Sequence, residues 1–333
     1  MSKRKISYEP AYDRPNQDIY DFLMELAFYE LYNNKIYKFN NYRNAAEMLS
    51  ALPGRIKNAY EAMKLPGIGK KIADHINEFL ETGTHKELQQ VKKDDKQDAI
   101  ILLMKIPGIG PAKAEQLISA GIETLEDLKQ HEDKLNRQQR IELKYFDDFE
   151  KKITRDEIMR IENLFKDAIE ELDNKYLVTF CGSYRRGLED NEPIIAVVTH
   201  PDYKSNIKKK DTEITMKAIL ECLEDKNLIR ETISLGAITF MGACRLPRRK
   251  KGPFRRLNIQ LVFYDHYYCA ALYYTGSEIF NKVIRAHALE KKYILNKHTL
   301  KSVTTGKIEE ITSEKSIFDI LGLSYEFPQW RNA

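Results

Sequence analysis

The chain has 333 residues, of which 42% are hydrophobic and 31% charged, with a formal net charge of +4. That length allows two or three domains with a real core, and the composition is that of a globular rather than a disordered protein. No apolar run approaches the roughly 20 residues of a membrane span, so no membrane association is expected.

The first residues, MSKRKISYEP, are basic at Lys3, Arg4 and Lys5 but lack the apolar stretch of a signal peptide. They read as a solvated tail or a nuclear address. Residues 17–134 then read as helix after helix, with apolar residues three and four positions apart, as in Ile19, Phe22, Leu23, Leu26 and Ala27. Within them, YKFNNYRNAA (37–46) sets Tyr37 and Tyr42 beside Lys38 and Arg43. An aromatic that stacks on a base next to cations suits single-stranded or gapped DNA. Phe39 reads instead as core.

A short internal repeat follows, LPGIGKKIADHI at 65–76 and IPGIGPAKAEQLI at 106–118. Gly67 and Gly69, like Gly108 and Gly110, let the backbone turn tightly and approach a ligand closely. The helix after each offers free N–H groups and the positive end of its dipole to an anion. Lys70 and Lys71 follow the first turn and Lys113 the second. One such unit would be an ordinary helix–helix turn. Two form the helix-hairpin-helix pattern, a grip on DNA backbone that ignores sequence.

From about residue 154 the pattern changes. A helix at 157–172 leads to YLVTFCGS, IIAVVTH, ITFMGACRL and RLNIQLVFY, β-branched and aromatic runs of strand length. The link 202–217, with its KKK run, reads as an exposed loop opening a helix. Residues 265–333 mix short helices at 266–274, 278–290 and 315–321 with brief strands. Basic residues concentrate at 64–71, 204–210 and 245–256. Cys181, Cys222, Cys244 and Cys269 form no CxxC pair, which argues against a zinc ribbon or a secreted disulfide framework and suits a reducing compartment.

The segment GSYRRGLEDNEPIIAVVTHP (182–201) raises the central question. Its first half suits a phosphate, because the planar fork of Arg186 can bind phosphate oxygens bidentately. Its second half turns oily at Pro193. With GSYRRG, RRLNIQL, YYTGSEIFNKVIRAHALEK and both hairpins in view, the chain resembles the family X DNA polymerases over nearly its whole length. DDKQDAI, TLEDLKQHEDKLNRQQRIELKYFDDFEKKI and FMGACRLP match that pattern too.

The resemblance implies an α+β multidomain fold. A lyase-like helical DNA-binding domain would span 1–90, and a thumb with the second hairpin 91–153. A nucleotidyltransferase-like mixed α/β palm would span 154–264, and a small α/β nucleotide-selection subdomain 265–333. Gly182, Ser183 and Arg186 would grip an incoming triphosphate, with Lys152 where the family has arginine. Tyr273, Tyr274, Gly276 and Glu278 would border the nucleotide, and Asn281 would meet its base. Lys282 and Arg285 would contact the template side, and Arg256 the DNA. A sodium or potassium ion would sit on the backbone carbonyls of Met63, Leu65 and Ile68, and another on those of Met104, Ile106 and Ile109. The partners implied are DNA with a gap or nick and a 5′-phosphate, and base excision repair proteins. The chain would be a monomer in the nucleus.

The departures from the family pattern fall on chemistry. Phosphoryl transfer to a primer end uses two metal ions about 3.5–4 Å apart, and magnesium demands hard oxygen ligands. The family's DxD pair falls on Pro193 and Ile195, and its third aspartate on Asn258. The lyase lysine that forms an imine falls on His75, with Lys71 one turn earlier on the same face. Asn44, Glu87, Leu235 and Thr239 replace further basic positions. Asp190 and Glu192, two apart, offer a slipped pair, but they stand in a turn that Pro193 constrains. The expectation is therefore a folded pseudoenzyme that binds gapped or nicked DNA, binds deoxynucleotides weakly and lacks both chemistries. One alternative is an active gap-filling polymerase and 5′-deoxyribose phosphate lyase. The other is a repair scaffold that acts without DNA.

Overall fold

In a computed structural model, residues 15–32, 35–50, 52, 54–65, 67–83, 95–191, 193–206, 214–247 and 252–332 are described. The basic cluster at Lys3–Lys5, Glu87, Glu192 and the KKK run lie outside them, as do the side chains of Asp190 and Asn191. The chain divides into two compact units, Met1–Gln97 and Asp98–Asn332.

The first unit is helical: α1 (Gln17–Tyr32), α2 (Ile36–Ser50), α3 (Ala59–Met63) and α4 (Lys70–Thr82). The stripe at Ile19, Phe22, Leu23, Leu26 and Ala27 is buried, as its spacing predicts. Phe22 stacks on Phe79 with ring centroids 4.4 Å apart, which ties α1 to α4. Asn16 is buried just before α1. Its amide donates to Leu49 O at 3.1 Å and Gly54 O at 2.9 Å, and its oxygen accepts from Ile56 N at 2.8 Å. A fully satisfied buried amide costs little and fixes the loop after α2.

The second unit continues from α5 (Asp95–Met104) through α6 (Pro111–Ser119), α7 (Leu125–Gln130), α8 (Arg137–Lys144) and α9 (Phe146–Phe149). Strand β1 (Ile153–Thr154) and helix α10 (Arg155–Leu172) then open the mixed region. The helix starts two residues before the expected position because Thr154 caps it, its side chain accepting from Glu157 N. Strand β2 (Leu177–Phe180), α11 (Gly182–Arg185), β3 (Asp190–Asn191), β4 (Ile194–Thr199), α12 (Met216–Asp225), β5 (Ile229–Leu235), β6 (Thr239–Cys244) and β7 (Arg255–Leu261) follow. The last part holds α13 (Tyr267–Thr275), α14 (Glu278–Glu290), β8 (Tyr293–Leu295), β9 (Leu300–Ser302) and α15 (Glu314–Leu321). Those three helices match the expected ones to within a residue at each end.

The central sheet runs β2-β4-β7-β6-β5. Only β4 and β7 pair in parallel; their neighbours are antiparallel. Strand β7 alternates strictly, with Arg255, Leu257, Ile259 and Leu261 buried and Arg256, Asn258 and Gln260 half-buried on the opposite face. Leu257, Ile259 and Leu261 pack with Ile194, Ala196 and Val198 of β4 against Phe165 of α10 and Ile219 of α12. Strand β5 was not anticipated. Two register shifts, between Ile229 and Glu231 and between Thr232 and Ser234, break its alternation, so the period-2 signal is lost in IRETISL. Among the described residues no helix is long and apolar enough to cross a membrane.

One buried ion pair fixes β7. Arg255 donates to both oxygens of Glu157 at 2.9 Å and to Lys151 O at 2.7 Å. Removing one partner strands a buried charge. Arg255→Met is expected to lower stability by about 3–5 kcal/mol, and Arg255→Met with Glu157→Met to recover much of that loss. Denaturant unfolding of the three proteins checks this.

Candidate functional site

The two hairpins fold alike. Gly67 and Gly108 have φ of +86° and +88°, a left-handed region that favours glycine. Ile68 N donates to Leu65 O at 3.2 Å, and Ile109 N to Ile106 O at 3.0 Å. Gly69 and Gly110 then cap α4 and α6 in extended conformation, with no side-chain hydrogen bond at either cap. Among the described residues, no heavy atom beyond its chain neighbours lies within 4 Å of where a Cβ on Gly69 or Gly110 would stand. Each unit thus offers open space at a helix N-terminus, with Lys70 and Lys71 exposed beside one and Lys113 half-buried beside the other. The second hairpin has a brace that sequence reasoning missed: Gln139 Nε2 donates to Gly108 O at 2.7 Å. That residue lies on α8, distant in sequence, and no local signal marks it. The carbonyls expected to hold a monovalent ion are neutral oxygens, suited to a weakly held cation. Leu65 O and Ile106 O each accept one amide and keep a second lone pair.

The stretch 37–46 behaves differently from its expectation. Phe39 is core, but so is Tyr42, at 3% exposure. Its hydroxyl lies 3.0 Å from His75 Nδ1, and the two rings are stacked. A tyrosine so placed cannot stack on a base, so Tyr42 is a packing residue that holds His75. The spacing Phe39, Tyr42, Ala46, Leu49 is a buried helical stripe and carried that signal. Lys38 pairs at 2.7 Å with Glu30, itself nearly buried. Arg43 lies over the Phe39 ring and 3.7 Å from Glu47. Exposed Tyr37 is the aromatic left at the surface of this stretch.

In the palm-like region the three departures from the family pattern meet. Ile195 stands directly opposite Asn258 in the parallel β4–β7 ladder. Pro193 immediately precedes β4. A Cβ on Gly182 would lie 3.9 Å from both Ile195 Cδ1 and Pro193 O, so the turn GSYRRG covers this spot. Ile195 packs with Cys181, Val197, Tyr267 and Ala270. Burial pushes the Cys181 thiol up to about 12, so it is neutral there. Asn258 Oδ1 and Ser183 Oγ are buried with no hydrogen-bond partner among the described residues. One amide oxygen, a proline and an isoleucine do not fit a magnesium pair. No group of three His, Cys, Asp or Glu side chains suited to a metal occurs among the described residues. Of the slipped pair, Glu192 lies outside the described residues, and the backbone of Asp190 pairs with Thr154 in the β1–β3 ladder, which is separate from this sheet.

The arginine expected to grip phosphate is engaged by protein groups. Arg186 Nη1 donates to Thr275 O at 2.6 Å and Nε to Asn332 Oδ1 at 2.8 Å. Arg185, which the sequence did not single out, reaches Thr275 Oγ1 at 2.7 Å and Glu314 at 2.5 Å. Gly182 and Gly276 both have φ of +67°. Tyr273 and Tyr274 stand edge to face at 5.1 Å, and the Tyr274 hydroxyl donates to Gln260 Oε1 at 2.8 Å. Asn281 Nδ2 donates to Tyr273 O at 2.7 Å, joining α14 to the end of α13. On α14, Lys282 pairs with Glu278 at 2.7 Å, and Arg285 is exposed. Lys152 is exposed before β1. Leu235 and Thr239 are exposed at the β5–β6 turn. Arg256, expected at the DNA, donates to buried Glu142 of α8 at 2.6 Å and lies over the Phe149 ring.

Comparison with known proteins gives four family matches in chain order. A helix-hairpin-helix domain matches residues 14–85, and the fingers domain of DNA polymerase lambda 101–150. The DNA polymerase beta palm matches 152–264, and the DNA polymerase beta thumb 270–332. The region expected to be a thumb thus matches a fingers model, and the region expected to be the nucleotide-selection subdomain matches a thumb model. DNA polymerase lambda of Arabidopsis thaliana is 31% identical over 313 residues, covering 88% of this chain and 57% of that protein. DNA polymerase lambda of Rattus norvegicus is 29% identical over 306 residues, covering 87% and 52%. The chain therefore spans little more than half the length of these relatives.

The hairpin glycines divide into two kinds, and substitution should separate them. Gly67→Ala and Gly108→Ala force a side chain into left-handed backbone and should each cost about 1–2 kcal/mol. Gly69→Ala and Gly110→Ala meet ordinary backbone and open space and should leave thermal unfolding almost unchanged.

Proposed function

The chain belongs to the family X DNA polymerases, of the beta/lambda kind, and from that premise we propose that it is a DNA-binding protein without nucleotidyl transfer. Its substrate is DNA with a gap or nick, preferably carrying a 5′-phosphate. The hairpins hold the backbone through helix N-termini and Lys70, Lys71 and Lys113, a mode that reads phosphate and not sequence. The observation that carries the reading is the β4–β7 register. It sets Ile195 against Asn258, beside Pro193, where the family's metal-binding carboxylates would stand. In the first unit, His75 takes the place of the imine-forming lysine and is held by Tyr42. Imidazole cannot form an imine with an abasic sugar.

A second reading, an active gap-filling polymerase, draws support from the relatives' name, DNA polymerase lambda. It would need metal ligands from Asp190, Glu192 and nucleotide phosphates, since neither β4 nor β7 supplies a carboxylate.

The deciding experiment measures binding and primer extension together on a one-nucleotide gapped duplex with a 5′-phosphate. Binding that survives chelation of magnesium and weakens linearly in log–log fashion with salt, without extension, is the expected result. Template-directed extension by the unaltered protein would overturn the proposal. Pro193→Asp, Ile195→Asp and Asn258→Asp together should restore extension if the scaffold is otherwise competent.

The glycine series gives a second check. Gly69→Ala with Gly110→Ala, although folded normally, should weaken gapped-DNA binding about tenfold, equivalent to ~1.4 kcal/mol. A methyl group would then stand where phosphate must approach. Unchanged affinity would place DNA elsewhere.

A further inference from the structure

We infer that Asn332 is a latch on Arg186, competing with the phosphate chain of a nucleoside triphosphate for the same guanidinium. The inference rests on the reading of Gly182, Ser183 and Arg186 as a phosphate grip. Arg186 Nε donates to Asn332 Oδ1 at 2.8 Å, and Asn332 Nδ2 donates back to Arg186 O at 3.2 Å and to Gln329 O at 2.9 Å. The asparagine thus binds both the side chain and the backbone of one residue. Arg186 Nη1 is held by Thr275 O at 2.6 Å. A phosphate that binds an arginine edge-on needs neighbouring N–H groups, and here the Asn332 amide oxygen holds Nε while Thr275 O holds Nη1.

The segment that carries the latch is firmly seated. Arg331 is almost fully buried, pairs with Glu314 at 2.7 Å and donates through Nε and Nη2 to Glu326 O. Its guanidinium lies over the rings of Phe280, Phe318 and Tyr325. Its carbonyl accepts from Ser277 N at 3.0 Å. Asn332 therefore has little freedom to stand elsewhere. The approach to the grip is close, for a Cβ on Gly187 would lie 3.4 Å from Gln329 Cγ.

The chemistry of the latch matters. An amide oxygen is a neutral acceptor, and a phosphate oxygen is an anion with stronger hydrogen bonds to guanidinium. A neutral latch yields to a triphosphate at sufficient concentration, whereas a carboxylate at the same place would not. This predicts opposite effects from two substitutions at one position, which a merely structural role cannot produce.

The test is equilibrium binding of deoxyadenosine triphosphate, with magnesium chelated, to the full chain and three variants. Asn332→Ala should tighten binding about 2–10-fold, the net worth of one hydrogen bond. Asn332→Asp, nearly isosteric, should weaken it. Arg186→Ala should abolish it. Equal or weaker binding by Asn332→Ala overturns the latch, and so does absence of binding by both the unaltered chain and Asn332→Ala. Unchanged binding by Arg186→Ala overturns the phosphate-grip reading instead. Thermal unfolding of each variant establishes that it is folded.

Discussion

The parallel ladder between β4 and β7 sets what the site can do, because it joins residues far apart in sequence at a fixed separation. Side chains directly opposite on neighbouring strands share one small volume. Ile195 faces Asn258 there, with Gly182 of the GSYRRG turn close to Ile195. A sheet cannot slide to bring other residues into place. A one-residue slip would turn every inward side chain outward, and β4 is buried along almost its full length. The identities at positions 193, 195 and 258 therefore decide the chemistry. What they supply is an apolar surface and one amide oxygen without a partner among the described residues.

Much of the architecture was legible because it rests on local periodicity. The helices of the last 70 residues and the two hairpins declare themselves through spacing and glycine, and strands β2, β4, β6 and β7 through β-branched and aromatic runs of strand length, with clean alternation only in β7. Strand β5 did not, since its two bulges scramble the alternation. Tyr42 misled for a different reason. A basic, aromatic stretch reads as a DNA surface, but the helical stripe that runs through Phe39 and Tyr42 belongs to the core. Amphipathic residues make such errors common: tyrosine carries a polar end that serves a buried partner as readily as a ligand. Gln139, Glu142, Thr275 and Asn332 could not be read at all. Each acts on a residue 31 or more positions away, and no pattern in one sequence reports a contact of that kind.

Helix α8 couples the second hairpin to the sheet. Three successive stretches of it, and the residue after it, reach different parts of the second unit. Gln139 holds the second hairpin through Gly108 O. Glu142 holds Arg256 of β7, and Lys144 and Tyr145 both reach Glu231 of β5. The hairpin is thus coupled to the sheet by side chains that do not include positions 193, 195 or 258. Arg256 and Asn258 share a face of β7, so a carboxylate at 258 would lie beside the guanidinium. With asparagine there, Arg256 is engaged by Glu142. The pair is incomplete, with Arg256 Nε and Glu142 Oε1 both buried and unpartnered among the described residues. A buried pair that makes only part of its hydrogen bonds is costly. Its position suits a structural role, holding the helix that braces the second hairpin on the sheet.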